Sequence, residues 1–325
     1  MKLSIVVPCY NEEEALPYYF KAMEALKPKL PLDFEYIFVN DGSVDGTLSL
    51  LRKLSTEHEN IHYLSFSRNF GKEAALYAGL QRTTGEYVTV MDADLQDPPE
   101  MLLEMYAKIQ DPEIDCVGTR RVTRAGEPKL RSFFSRLFYR LMNKFGQVPM
   151  VDGERDFRLM TRQVVDSLLS LKEYNRFSKG LFSWVGFKTI YLPYENQKRV
   201  AGETSWSFWK LFSYSIEGIV NFSDAPLNIA SFVGALSCLF AVVALIVIII
   251  RTVAFGDPTA GWPSMVSIFL LVGGAQLLSL GIIGKYIGKI FVETKKRPPY
   301  LIKENDQTYL TKKDEATDQK QKETD

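Results

Sequence analysis

The chain has 325 residues, 46% of them aliphatic or aromatic, enough for a sizeable core. Lysine plus arginine balances aspartate plus glutamate at 39 each, and zero net charge argues against a general nucleic-acid binder. Three dispersed cysteines, Cys9, Cys116 and Cys238, form no disulfide framework or zinc spacing and suit a reducing compartment, and two histidines are too few for a histidine-rich metal cluster.

In chain order, "MKLSIVVPCYNEEE" is too short an apolar run for a signal peptide, is broken by Pro8 and leads into three glutamates. It reads as a first strand, with a helix starting near Glu13. Strand "FEYIFVND" is followed by helix "SVDGTLSLLRKLSTEH", strand "IHYLSFS" by helix "GKEAALYAGLQRT", and strand "EYVTVMD" by helix "PPEMLLEMYAKI". "DCVGTR" closes the series. Alternating strand and helix predicts an α/β fold with a mostly parallel sheet and helices on both faces.

Ligands of such sheets sit at the carboxyl ends of the strands. Polar residues crowd those ends: Pro8, Tyr10, Asn11 and Glu12; then Asn40, Asp41, Gly42 and Ser43; then Ser67, Arg68 and Asn69. The fourth apolar run stops at Asp92, and Asp94, Asp97, Pro98 and Pro99 follow. Taken singly, a stretch such as "NDGS" is also a good turn and helix cap. No G-x-G-x-x-G follows the first strand, which counts against a nicotinamide or flavin enzyme. "NFGKEA" lacks the upstream glycine and the Ser/Thr of a phosphate-binding loop. Asp92-Ala93-Asp94 offers another way to manage phosphates, a divalent ion such as Mg2+ or Mn2+ held by one or two carboxylates.

Near residue 225 the composition changes. Leu227–Ile250 and Gly261–Gly284 carry no charge, and each is long enough to cross roughly 30 Å of hydrocarbon as a helix. The link "RTVAFGDPTAG" reads as a tight turn. Lys285, Lys289, Lys295, Lys296 and Arg297 follow the second span, whereas the link has only Arg251, so both hairpin ends and the N-terminal domain are expected in the cytoplasm. Trp206, Trp209, Phe212, Ile216 and Ile219 recur at helical spacing, as in a helix lying in the headgroup layer or in an ordinary amphipathic helix. Arg131, Arg136, Arg140 and Lys144 form a basic stripe beside Phe133, Phe134 and Phe138, suited to an anionic headgroup or to a solvated face. The tail from Lys303 is mixed in charge and expected to be disordered. The expected organisation is a catalytic domain over 1–204, juxtamembrane helices over 205–226, spans over 227–251 and 262–288, and a tail over 289–325. The juxtamembrane aromatics offer a surface for a homo-oligomer.

Taken together and in order, "IVVPCYNEE", "VNDGSVDGT", "NFGKEAAL" and "VMDADLQDPPE" resemble the family 2 glycosyltransferases. Within them the chain looks like the bacterial polyprenyl-phosphate glycosyltransferases, relatives of dolichol-phosphate mannose synthase, over roughly residues 1–300. The resemblance implies the Rossmann-like GT-A fold, a nucleotide-sugar donor such as UDP-glucose, a polyprenyl phosphate acceptor in the bilayer, a divalent metal and a multi-pass location in the cell membrane. It implies that Pro8, Tyr10, Asn11 and Glu12 hold nucleobase and ribose, and that Asp41 reads the base. Asp92, Ala93 and Asp94 match the D-x-D, with Asp94 foremost as metal ligand, and Gln96 lies near the donor phosphates. Asp156 in "RDFRLM" faces the acceptor, as a base or as an orienting group; a salt bridge with Arg155 or Arg158 is the alternative. Arg199 matches a residue near the sugar's phosphates, and Arg120, Arg131 and Ser135 match the lipid-phosphate site. The Q-x-x-R-W motif of processive members is missing, which argues for one sugar per event over a processive synthase. A non-catalytic nucleotide-sugar-binding scaffold is the other alternative, disfavoured by the intact acids.

Overall fold

The computed structural model describes residues 1–122, 140, 143–144, 148, 151–194, 220, 223, 225–255 and 261–311. The strands are β1 (Lys2–Cys9), β2 (Asp33–Asn40), β3 (Ile61–Phe66), β4 (Tyr87–Val90), β5 (Cys116–Arg121), β6 (Glu154–Thr161), β7 (Thr189–Tyr194) and β8 (Ile302–Asn305). They form one sheet in the order β7-β5-β6-β4-β1-β2-β3-β8. Pairings β4–β1, β1–β2, β2–β3 and β5–β7 are parallel. Those of β6 with β4 and β5, and of β8 with β3, are antiparallel. The sheet is mostly parallel, as expected, but it does not close with "DCVGTR": β6 inserts between β4 and β5, and β7 and β8 extend the two edges.

Burial follows the two-residue period of a strand. Ile5 and Val7 join Leu16, Tyr19, Met23, Leu51 and Met105 in a core on one face. That core includes side chains of α1 (Leu16–Leu26), α2 (Thr47–Glu57) and α4 (Met101–Ile109). Val6, Val88 and Val90 face the other way, onto a core built with Leu76, Val165 and Leu181. Those come from α3 (Lys72–Arg82), α5 (Arg162–Ser170) and α6 (Ser178–Trp184). Both faces of β1 are covered, which is why it reads as a continuous apolar run. Helix α3 lies very close to the sheet. A Cβ at Gly79 would come within 2.3 Å of Val6 Cγ1, so only glycine permits the approach.

Two long helices follow, α7 (Ala225–Phe255) and α8 (Trp262–Thr294). Within them Ala225–Val243 and Leu271–Thr294 are long and apolar enough to cross a membrane. Phe232, Phe240, Phe269 and Leu271 are exposed on them. Helix α7 continues to Phe255, so the first residues of the expected turn are helical, and 256–260 lie outside the described residues. Tyr174 and Asn175 donate their backbone N–H groups to Glu293 Oε1 at 2.9 and 3.1 Å, and Lys289 Nζ donates to Asn175 Oδ1 at 3.0 Å. These bonds tie the end of α8 to the sheet domain.

The expectation of a disordered tail is corrected over residues 302–311. Strand β8 pairs with the β3 edge, and a helical turn follows over 306–311. Arg52 Nε and Nη2 reach Glu304 at 2.7 and 2.6 Å, Tyr63 Oη donates to Glu304 at 2.8 Å, and His62 Nδ1 lies 2.8 Å from Asp306. The charges that made this tail look solvated are matched by charges on the edge it covers.

Candidate active site

The carboxyl ends of β1 to β4 converge as the strand-end rule requires. At the end of β1, Tyr10 is exposed and Asn11 adopts a left-handed backbone, φ +56°, a conformation asparagine tolerates better than most residues. Asn11 staples two loops: its N–H donates to Ser43 Oγ and its Oδ1 accepts from the Val44 N–H, both at 2.9 Å. The Glu12 N–H donates to Thr47 Oγ1 at 2.9 Å, and Pro8 belongs to β1 itself.

Asp41, at the end of β2, is buried, and its carboxylate accepts the N–H groups of Phe70 and Gly71 at 2.6 and 2.9 Å. Burial raises its pKa above the ordinary value, partly offset by those two donors. In this structure Asp41 braces the β3–α3 loop. Gly42 beside it has φ +68°, and a Cβ there would fall 2.4 Å from the Arg68 carbonyl carbon.

The three carboxylates after β4 divide their work. Asp97 is 4% exposed; it accepts Arg155 Nε at 3.2 Å and the Tyr194 hydroxyl, so it ties the β4–α4 loop to β6 and β7. Burial alone would lower the Arg155 pKa, but Asp97 together with Tyr194, Asp92 and Asp156 outweighs it and raises it. Asp94 is buried behind the small, buried Ala93, and its Oδ1 accepts the Gln96 N–H at 3.1 Å. Leu95 between them has φ +54°. Asp92 remains part-exposed.

Asp92 and Asp156 meet on one cation. Lys72 Nζ lies 2.7 Å from Asp92 Oδ1, 2.9 Å from Asp92 Oδ2 and 2.8 Å from Asp156 Oδ2. Burial alone would lower the Lys72 pKa and raise that of Asp156. The two carboxylates reverse the first effect, and Lys72 with Lys179 reverses the second, so Lys72 is held above its ordinary value and Asp156 well below. The salt bridge considered for Asp156 is thus made to Lys72. Arg155 pairs with Asp97, and Arg158 donates through Nη2 to Glu154 Oε1 at 2.7 Å, fully buried, with its guanidinium carbon 3.4 Å from the Phe182 ring centroid.

Lys72 is the residue that sequence reasoning missed. "NFGKEA" fails as a phosphate loop, and no other role followed from it. A signal was present, because a lysine in the first turn of a helix opposes the helix dipole and needs a compensating partner. Its neighbour Glu73 turns the other way and accepts the Ser178 N–H at 3.0 Å, where a carboxylate suits the N-terminus of α6.

Arg120 stands exposed at the end of β5, with Nε donating to the Asp152 carbonyl at 3.1 Å. Arg131, Ser135 and Arg199 lie outside the described residues, as do Arg136, Phe133, Phe134, Phe138 and the Trp206–Ile219 stripe. Among the described residues, no group of three or more His, Cys, Asp and Glu side chains forms a metal cage. A small hard cation completed by phosphate oxygens and water needs only one or two carboxylates, and Asp92 and Asp94 on one strand end meet that demand.

The family model for glycosyl transferase family 2 matches residues 4–169. The bactoprenol glucosyl transferase of Shigella phage SfX is 42% identical over 93% of this chain and 99% of that protein. The prophage bactoprenol glucosyl transferase homolog of Escherichia coli (strain K12) is 40% identical over the same shares. Among solved structures, glucosyl-3-phosphoglycerate synthase from Mycobacterium tuberculosis overlaps at TM-score 0.43 and 20% identity, covering 67% of this chain and 77% of that one, too shallow a likeness to carry anything across.

Proposed function

The chain belongs to glycosyl transferase family 2, and from that premise we propose that it transfers one glucose from UDP-glucose to undecaprenyl phosphate. The observation that carries this reading is the likeness, over nearly its whole length, to a protein named bactoprenol glucosyl transferase. That likeness spans both the acid-lined crevice and the apolar hairpin. The location follows from the acceptor. Each lipid methylene buried in the bilayer is worth about 0.8 kcal/mol, so a polyprenyl phosphate stays in the membrane and the enzyme must come to it. The apolar segments in α7 and α8 support an anchor in that membrane, and the basic residues that follow the second apolar run support a cytoplasmic catalytic domain by the positive-inside rule.

The reaction breaks the bond from the anomeric carbon to the diphosphate and forms one to an oxygen of the lipid phosphate on the opposite face, inverting the centre. The leaving electron pair goes to the diphosphate. Asp94 and Asp92 are the residues that would hold Mg2+ or Mn2+, which when bound supplies positive charge against the departing diphosphate. Asn11, Tyr10 and Glu12 line the donor end, where the β1–α1 and β2–α2 loops are pinned together. Gln96 stands beside Asp94. A phosphate monoester has its second pKa near roughly 6 and is mostly dianionic at neutral pH, so it needs little help from a base. Asp156, ion-paired to Lys72, therefore serves to orient acceptor and sugar. Arg199, Arg131, Ser135 and Arg120 complete the set by resemblance, as phosphate partners.

The test is a donor screen with the full chain in lipid vesicles. UDP-glucose, UDP-galactose and UDP-N-acetylglucosamine, each radiolabelled, are offered with undecaprenyl phosphate and Mg2+ or Mn2+. Label from UDP-glucose should enter the organic phase as a lipid-linked monosaccharide. Label in polymer, or with another sugar alone, would overturn the assignment.

A further inference from the structure

We propose that Lys72 is a resident cation of the transfer centre, one that positions Asp92 against Asp156 and competes with an incoming divalent ion for Asp92. The inference deepens the reading above and rests on it. The sheet register creates the need. Strands β4 and β6 pair antiparallel from Tyr87↔Thr161 to Val90↔Arg158, and Asp92, two residues past the end of β4, comes near Asp156 of β6, both within reach of Lys72. Two like charges this close repel. Both carboxylates are also largely sheltered, at 28% and 22% exposure, so water screens them poorly. One ammonium within 2.9 Å of both removes the repulsion.

The placement of Lys72 is costly in every other respect. It stands at the start of α3, where the helix dipole disfavours a cation. It follows Gly71, whose φ of +97° only glycine adopts readily. The Gly71 N–H is fixed by Asp41, so the lysine leaves a clamped backbone. The constrained backbone fixes where the side chain leaves, and its ammonium lies between the carboxylate at the D-x-D and the carboxylate on β6. By the proposed function the first lies on the donor side and the second on the acceptor side. Lys72 therefore sets their separation, and it occupies charge that a divalent ion would otherwise collect.

The test compares the full-length protein with Lys72→Met and Lys72→Arg in the same vesicles. Without any donor, Mn2+ binding is followed by electron paramagnetic resonance. Lys72→Met should bind Mn2+ about ten-fold tighter than the parent, within the range of ordinary coupling between sites. Lys72→Arg should stay near the parent, and Lys72→Met combined with Asp92→Asn should lose the gain. In turnover, Lys72→Met should lower kcat about 100-fold, the scale of a misplaced reacting group. Its donor KM should stay within about threefold, and Lys72→Arg should recover part of the rate. A merely structural lysine would lower the melting temperature and leave Mn2+ affinity alone. Should Lys72→Met not fold, Lys72→Gln carries the same expectations. Unchanged Mn2+ affinity in the neutral variant, or a gain that survives Asp92→Asn, overturns the proposal. The resonance measurement needs no sugar transfer, so it still decides the role of Lys72 if the donor screen fails.

Discussion

Glu304→Ala should release the C-terminal strap from the sheet edge. Glu304 receives Arg52 through two nitrogens at 2.7 and 2.6 Å and the Tyr63 hydroxyl at 2.8 Å. The side chains of Arg52 and Glu304 are 33% and 18% exposed, so the pair lies between a solvated ion pair and a buried one. Exposed pairs contribute about 0–1 kcal/mol and charged hydrogen bonds about 1.5–3 kcal/mol. A bidentate pair at this depth, with a tyrosine hydroxyl left unpartnered on its removal, should cost about 2 kcal/mol of strap docking. That corresponds to roughly 30-fold more of the undocked state. Hydrogen exchange reads it directly, because the Ser67 N–H donates to the Leu301 carbonyl at 2.9 Å and is protected only while the strap is down. Exchange at Ser67 should quicken by about that factor. A double-mutant cycle with Arg52→Ala should return a coupling of about 1 kcal/mol. Unchanged Ser67 exchange in Glu304→Ala, or no coupling, would show that strand pairing alone holds β8 and that the ion pair is incidental.

Asp94→Asn should lower sugar transfer at least about 100-fold, and EDTA should abolish it reversibly, both read as label in the organic phase. Gly42→Ala combines a left-handed backbone with a Cβ only 2.4 Å from the Arg68 carbonyl carbon, and should destabilise the catalytic domain by more than about 2 kcal/mol in thermal unfolding. Glu35 is 5% exposed; burial works to raise its pKa, but hydrogen bonds from Ser4 and Thr84 and the charge of Lys2 hold it below the ordinary value. Its contribution to stability is therefore full above the unfolded-state value of about 4.3 and is lost as pH falls through the lower folded-state value. Glu35→Gln should accordingly flatten the acid limb of the stability profile; an equally steep limb would refute this.

The parts of the fold that were legible are those where one strand carries its own evidence. Strands β1 to β4 are apolar on both faces, and no partner is needed to recognise them. Strand β6 was hidden because Glu154, Asp156 and Arg158 alternate along it and mimic a solvent-facing row. Glu154 and Arg158 are instead buried against each other, at 1% and 0% exposure. Strand β8 was hidden for a related reason: Glu304 and Asp306 look solvated until Arg52 and His62, more than two hundred residues away in sequence, are beside them. The crevice followed from the rule that polar strand ends converge. What no spacing disclosed was which acids face each other. Asp97 sits three residues from Asp94 yet turns to Arg155 and Tyr194, while Asp156 lies far off in sequence and shares a cation with Asp92.

The strap and the transfer centre are joined by a single short loop. Tyr300 stacks on Phe66 with ring centroids 4.8 Å apart, and Phe66 meets Phe70 edge-on at 5.8 Å. The Phe70 and Gly71 N–H groups end on Asp41, and the next residue is Lys72. Pairing β8 with β3 would by itself protect an exposed edge. It does not account for Tyr300, which lies before the strand and packs on the residues leading into that loop. With Asp41 holding the loop's amides and Tyr300 packed against its aromatic stem, little freedom remains in the backbone that carries Lys72. The segment leaving the second apolar helix thus supports, through packed rings and two hydrogen bonds, the residue that holds Asp92 and Asp156 together. The end of the second apolar helix and the strand ends that carry Asp92 and Asp156 are thus linked through this one packed segment.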